Sequence, residues 1–283
     1  MLSTQKLAAP FSVLALSLAL SACGGSETQT PAPAESVEPP AAASAAPTPR
    51  FDDGMVRLDR MPGEKGGYWA NPSQHSLIEK GVQVEMNAQG LLSNIDDAEK
   101  VAPFMDWSLA LYKYRQANGL QDDPVKACIS PAGPRHLQDP KGFRIIQDRN
   151  LERVYLLFGG GNRNWRHINL DGRAPPNLDE VQSTFFGYAN GKWEGDTLVV
   201  ESVGFNDRFW FSNGGLPHTP GLKLTERFTR ADHDSLVYNV TIDDPRTYTR
   251  PWESEWTLEW VPGEIEESFC EESRPPVGAV AAN

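Results

Sequence analysis

From Phe143 to Cys270 the chain is a succession of short segments in which apolar and polar residues alternate, separated by breaks that show no helical period. The segments FRIIQD, RVYLLFG, NWRHINL, STFFGYA, TLVVESV, LKLTERF, SLVYNVTI, ESEWTLEWV and IEESFC read as strands, being rich in β-branched and aromatic residues. The breaks DRNLE, LDGR, NGKWEGD and RADHD carry the Gly, Asn and Asp that turns require. Sequential strands with short connections pair antiparallel, which predicts a mainly β fold built as a meander. So many twisted strands do not stay flat, so closure into a barrel or a strongly curved sheet follows.

Alternation also defines an inside and an outside. SLVYNVTI places Leu236, Tyr238, Val240 and Ile242 on one face, and SEWTLEW does the same for Trp256, Leu258 and Trp260. By that logic LKLTERF sets Glu226 among Leu222, Leu224 and Phe228. Arg166 falls with Ile168 and Leu170, and Glu267 with Ile265 and Phe269. An unpaired buried carboxylate costs several kcal/mol or takes up a proton. Two explanations fit the three inward charges. Either Arg166 pairs with the glutamates as a structural network, or the interior is a polar-tipped cavity that holds a ligand.

The ends have a different character. FSVLALSLALSAC is an apolar run of signal-peptide length with Lys6 before it. Its last residues, Leu20-Ser21-Ala22-Cys23, resemble the bacterial lipobox, so residues 1–22 are expected to be a lipoprotein signal peptide and Cys23 the lipidated residue. Gly24 rather than Asp follows, which favours the periplasmic face of the outer membrane. Residues 23–50, mostly Pro, Ala, Ser and Glu, read as a disordered tether. Residues 51–275 then form a single domain and 276–283 a frayed tail. Within the domain, Phe104, Trp107, Leu111 and Tyr114 recur at helical spacing, predicting one helix after Pro103 whose aromatic stripe faces the core. The net charge of −12 argues against nucleic acid as a partner. With Cys23 lipidated, Cys128 and Cys270 remain, either as a disulfide in an oxidising compartment or as free thiols.

Two long connections hold candidate site residues. In GFNDRFWFSNGGLPHTPG, Asn206, Asp207, Trp210 and His218 would supply hydrogen bonds, a flat wall and a titratable base at a barrel mouth, or would simply cap a surface loop. In TIDDPRTYTRPWE, Asp243, Asp244, Tyr248 and Arg250 precede Trp252, and an Asp–Arg clasp on the turn is the plainer reading. The chain has no G-x-S-x-G, no H-E-x-x-H and no paired C-x-x-C arms, and its five histidines do not pair at ligand spacing, so no metal or cofactor is expected.

From about Pro103 to Glu272 the stretches LYKYRQA, CISPAGPR, INLDGR, GYANGKWEGDTLVVESVGFND, ERFTR, TIDDPRTYTRPW and FCEES together resemble a widespread, uncharacterised family of exported bacterial proteins. The resemblance implies no activity. It draws attention to Arg135, Asp171, Arg173, Trp193, Asp196 and Arg227 beside the loop residues above, and the family pattern contains both cysteines, which suits the disulfide. The architecture is also similar to lipocalin-like barrels, an analogy of shape alone. The sequence thus leads to a lipid-anchored periplasmic barrel that holds a small apolar or aromatic molecule, touched by Tyr238, Tyr248, Trp252 and Glu267 and oriented by Arg166 and Glu226. An alternative is a cofactor-independent lyase, isomerase or hydrolase with Glu226 as general acid or base, His218 or Asp207 as its partner and Arg166 stabilising negative charge. A third reading is an envelope scaffold. Oligomeric state is left open.

Overall fold

Nine strands pair in chain order and the ninth returns to the first, closing a barrel. In the computed structural model, which describes residues 46–71, 77–161, 164–266 and Cys270, these are β1 (Gly67–Ala70), β2 (Phe143–Asp148), β3 (Arg153–Phe158), β4 (Trp165–Asn169), β5 (Tyr188–Glu194), β6 (Thr197–Val203), β7 (Lys223–Arg230), β8 (Ser235–Asp243) and β9 (Trp252–Pro262). The mainly β, lipocalin-like expectation holds. The inward set reads off the alternation directly: Leu224, Glu226 and Phe228 on β7, Leu236, Tyr238, Val240 and Ile242 on β8, and Trp256, Leu258 and Trp260 on β9 are all buried.

One joint departs from the meander. β4 and β5 run parallel and meet through a single residue pair, Asn169 with Asn190. A parallel neighbour needs a crossover, and residues 171–187 supply it. The expected strand STFFGYA and turn NGKWEGD are both corrected here: β5 starts at Tyr188 and runs through Trp193, which pairs with Leu198, leaving only Gly195 and Asp196 as the turn. Gly191 is tolerated in the strand because a Cβ there would lie 2.8 Å from Ile168 and 2.9 Å from Leu170. Its bare backbone is what lets β5 approach β4. Ile265 and Glu266 of the expected last strand are not in a strand, and Glu267–Phe269 lie outside the described residues.

Both barrel ends are covered. At the β7–β8 turn, Val56 and Leu58 are buried and Gln147 grips the main chain of both, its Oε1 accepting from Leu58 N at 2.7 Å and its Nε2 donating to Val56 O at 3.0 Å. Arg230, 2% exposed, donates to the carbonyls of Arg57, Asp59, Asp232 and His233. Residues 46–50 already belong to this end: His233 N donates to Ala46 O at 3.0 Å and Thr48 Oγ1 to Arg230 O at 3.2 Å. The folded unit therefore begins a few residues before the composition changes.

The opposite end is covered by the β6–β7 loop and by helix α1 (Asp106–Ala117). Of the predicted aromatic stripe, Phe104 does pack on the core, stacked on Tyr112 just ahead of the helix, but the helix buries a different face. Trp107 and Tyr114 are 45% and 58% exposed, whereas Ser108, Tyr112 and Gln116 are buried. Polar anchors decide the rotation: Ser108 Oγ donates to Thr247 O at 2.6 Å, and Gln116 Nε2 to Gly90 O and Gly214 O at 2.9 and 2.8 Å. A second, one-turn helix α2 (Pro134–Leu137) lies between α1 and β2. Cys128 and Cys270 form a disulfide with Cα atoms 5.4 Å apart, tying the segment after α1 to the chain beyond β9.

Candidate functional site

Glu226 sits in the barrel core at 0% exposure and Arg166 at 4%. Strand register explains the meeting. Glu226 opposes Val200 on β6 and Val240 on β8, while Arg166 opposes Leu156 on β3, so both project into the same interior. Arg166 grips the carboxylate with both terminal nitrogens, Nη1 to Oε1 at 2.9 Å and Nη2 to Oε2. Tyr238 OH donates to Oε1 at 2.9 Å, and Arg166 Nη2 also donates to Ser202 Oγ at 2.7 Å. Burial opposes the charge on Arg166, and Glu226 more than restores it, holding the guanidinium above its ordinary range. Burial, reinforced by the Glu226 charge, raises the Tyr238 phenol well above the usual range, so it stays a donor. Of the two readings of the inward charges, the geometry is that of the paired network; the third charge, Glu267, lies outside the described residues.

The β6–β7 loop is packed rather than open. Trp210 is 5% exposed with the Arg115 guanidinium 4.4 Å above its ring. His218 lies against Phe209 and Phe211, its Nε2 3.0 Å from Phe209 O and its Nδ1 3.2 Å from Thr219 O. Burial lowers its pKa against the pull of those carbonyls. Asn206 caps its own turn, accepting from Arg208 N at 3.0 Å, and Asp207 is exposed. In the β8–β9 turn the expected Asp–Arg clasp gives way to two separate fastenings. Asp244 accepts from Thr219 N, Thr219 Oγ1 and Thr247 Oγ1, which binds this turn to the β6–β7 loop. Arg250 instead pairs with Glu79 at 2.6 Å on the surface. Tyr248 OH donates to Pro217 O at 2.9 Å, and Trp252 packs edge-on against the Tyr248 ring at 5.4 Å. The structure thus gathers Arg166, Glu226 and Tyr238, and separately His218, Tyr248 and Trp252.

A cavity of about 520 Å³ opens at the β4–β5 joint, and of these two groups only Arg166 lines it. Asn164 O accepts from Phe158 N and Leu170 N donates to Glu152 O, so the even-numbered residues of β4 turn their main chain to β3. The odd-numbered ones, Trp165, His167 and Asn169, turn theirs to β5. Of these three only Asn169 finds a register partner there. The gap is lined by Trp165, Phe186 and Tyr188 as apolar wall and by Arg166, His167, Asn169 and Arg173 as polar groups. Asn169 is 8% exposed; its Nδ2 donates to Ala189 O at 3.3 Å, but its Oδ1 has no donor among the described residues. Burial, then the charges of Arg153, Arg173 and Arg166, lower the pKa of His167. Behind Phe186, buried His136 stacks on Phe158 with centroids 4.0 Å apart, and burial pushes its pKa down to about 3.

Sequence reasoning passed over this site because His167 alternates outward and the crossover was divided into a turn and a strand. The signal available was the length of the 171–187 connection, with two consecutive prolines, which no tight hairpin uses. No family model, no curated protein and no solved structure matches the chain.

Proposed function

We propose that this chain is a lipid-anchored envelope protein whose barrel binds a small, largely aromatic molecule at the β4–β5 joint rather than at its centre. The cavity between the diverging strands carries this reading: it is concave, walled by aromatic rings and furnished with a few polar groups, as small-molecule sites are. Nothing comparable favours catalysis by Glu226. A general acid or base must reach the proton it moves, and here both carboxylate oxygens are taken up by Arg166 and Tyr238 and Glu226 has no exposed surface. His218, its ring between two main-chain carbonyls, is no better placed.

Trp165, 56% exposed on the rim, is a built-in reporter. A naphthalene-sized aromatic probe is expected to quench its emission, with the quench lost in Trp165→Phe and weakened in Phe186→Ala. An undiminished quench in both variants would place the ligand elsewhere.

The envelope part rests on the apolar run ending at Cys23 and on the resemblance to exported bacterial proteins. Cys23→Ser is expected to move the protein from the detergent-phase membrane fraction to the aqueous fraction of a bacterial lysate. Retention of the variant in the membrane fraction would refute lipidation as the anchor.

A further inference from the structure

Every titratable side chain that lines the joint cavity, apart from Tyr188, is basic: Arg166, His167 and Arg173. This is notable in a chain with 38 acidic and 26 basic residues. Arg166 is already neutralised by Glu226 in the core. Arg173 is different. Its Nε and Nη2 face Asp171, which does not line the cavity, while its Nη1 has no partner among the described residues. A guanidinium held on one edge by a carboxylate keeps its other edge oriented and free to donate. The crossover is fixed at that point, since Asn190 Nδ2 donates to Arg173 O at 3.1 Å.

His167 stands on the same side. The Arg153, Arg173 and Arg166 charges and the Tyr155 and Trp165 rings surround it. The third polar element is opposite in kind: Asn169 Oδ1, buried and without a donor among the described residues, calls for a hydroxyl or N–H.

From this juxtaposition we infer that the ligand is an aromatic carboxylate bearing a neighbouring hydroxyl or N–H. The carboxylate lies against Arg173 Nη1 and His167, the donor meets Asn169 Oδ1, and the ring system lies along Trp165, Phe186 and Tyr188. The inference rests on the binding reading above and narrows it.

Three probes test it on the full-length protein by titration calorimetry: 1-hydroxy-2-naphthoate, its neutral amide, and 2-naphthoate without the hydroxyl. The hydroxy acid is expected to bind about tenfold more tightly than the amide, the worth of one charge-assisted hydrogen bond. Arg173→Gln, at a half-exposed position, should abolish that preference while leaving the melting temperature unchanged. Loss of the hydroxyl should weaken binding in the parent and not in Asn169→Ala. Acidification from pH 8 to pH 5.5 should strengthen binding of the acid but not the amide, because a bound carboxylate favours the His167 imidazolium against the three neighbouring guanidiniums. Equal binding of acid and amide would overturn the carboxylate assignment and leave the binding reading standing. Binding of none of the three would overturn both.

Discussion

Replacing Glu226 with glutamine will lower the thermal midpoint of the protein by roughly 6–20 °C. Removing one partner of a buried ion pair costs about 3–5 kcal/mol, because the other charge remains in the core without compensation, and each kcal/mol moves the midpoint of a domain this size by about 2–4 °C. Arg166 is then the stranded group, since its two terminal nitrogens spend their hydrogen bonds on Glu226 and Ser202. The substitution nearly preserves shape, so packing contributes little to the loss. A double substitution, Arg166→Leu with Glu226→Leu, should recover much of the stability, as apolar replacement of a whole buried pair often does. Thermal melts followed by circular dichroism on Arg166→Leu, Glu226→Leu and the double give the coupling energy. A Glu226→Gln protein that melts within a degree of the parent would show that the carboxylate is not a buried, paired charge.

The second large effect belongs to the disulfide. Cys128 and Cys270 are 142 positions apart, so their bond restrains about half of the unfolded chain. Loop entropy alone allows about 5 kcal/mol for a closure of this length, and measured disulfides of secreted domains contribute about 2–4 kcal/mol. Reduction of the parent should therefore lower its unfolding free energy by that amount, and the Cys128→Ser, Cys270→Ser double variant should match the reduced parent and ignore reductant. A parent indifferent to reductant, with both thiols open to alkylation before reduction, would disprove the bridge.

Most of the barrel was legible because its strands are half-buried, and a half-buried strand writes its two faces into the sequence at period two. Glu226 is the clearest case: its inward position followed from its neighbours, and the cost of leaving it alone required a partner, which the structure supplies as Arg166. What could not be read was governed by contacts between distant segments. The rotation of α1 is set by Ser108 and Gln116 reaching main-chain carbonyls in other loops, so the more apolar Trp107 and Tyr114 are left outside. β5 was displaced because Asn190 and Gly191 look like turn residues, and only the proximity of Ile168 and Leu170 explains a glycine there. The joint cavity was hidden for the same reason. Its residues come from β4, the crossover and β5, and nothing local marks them as neighbours.

The small strand β1 has a role out of proportion to its four residues. The disulfide makes a covalent ring of the chain from Cys128 to Cys270, and that ring contains eight of the nine strands. β1 stands outside it, wedged between β2 and β9 as a keystone held by hydrogen bonds and by the packing of buried Trp69 against Trp260, with no covalent tie to the ring but the chain itself. Cleavage before Ala46 leaves the arch and its cap intact, but removal of the chain up to Gly67 would take Val56 and Leu58 from the core and the Arg57 and Asp59 carbonyls from buried Arg230. Loss of β1 itself would expose two raw sheet edges side by side, a surface that seeks another strand. Shortening of the protein therefore stops at the cap that begins near residue 46, well before the first strand.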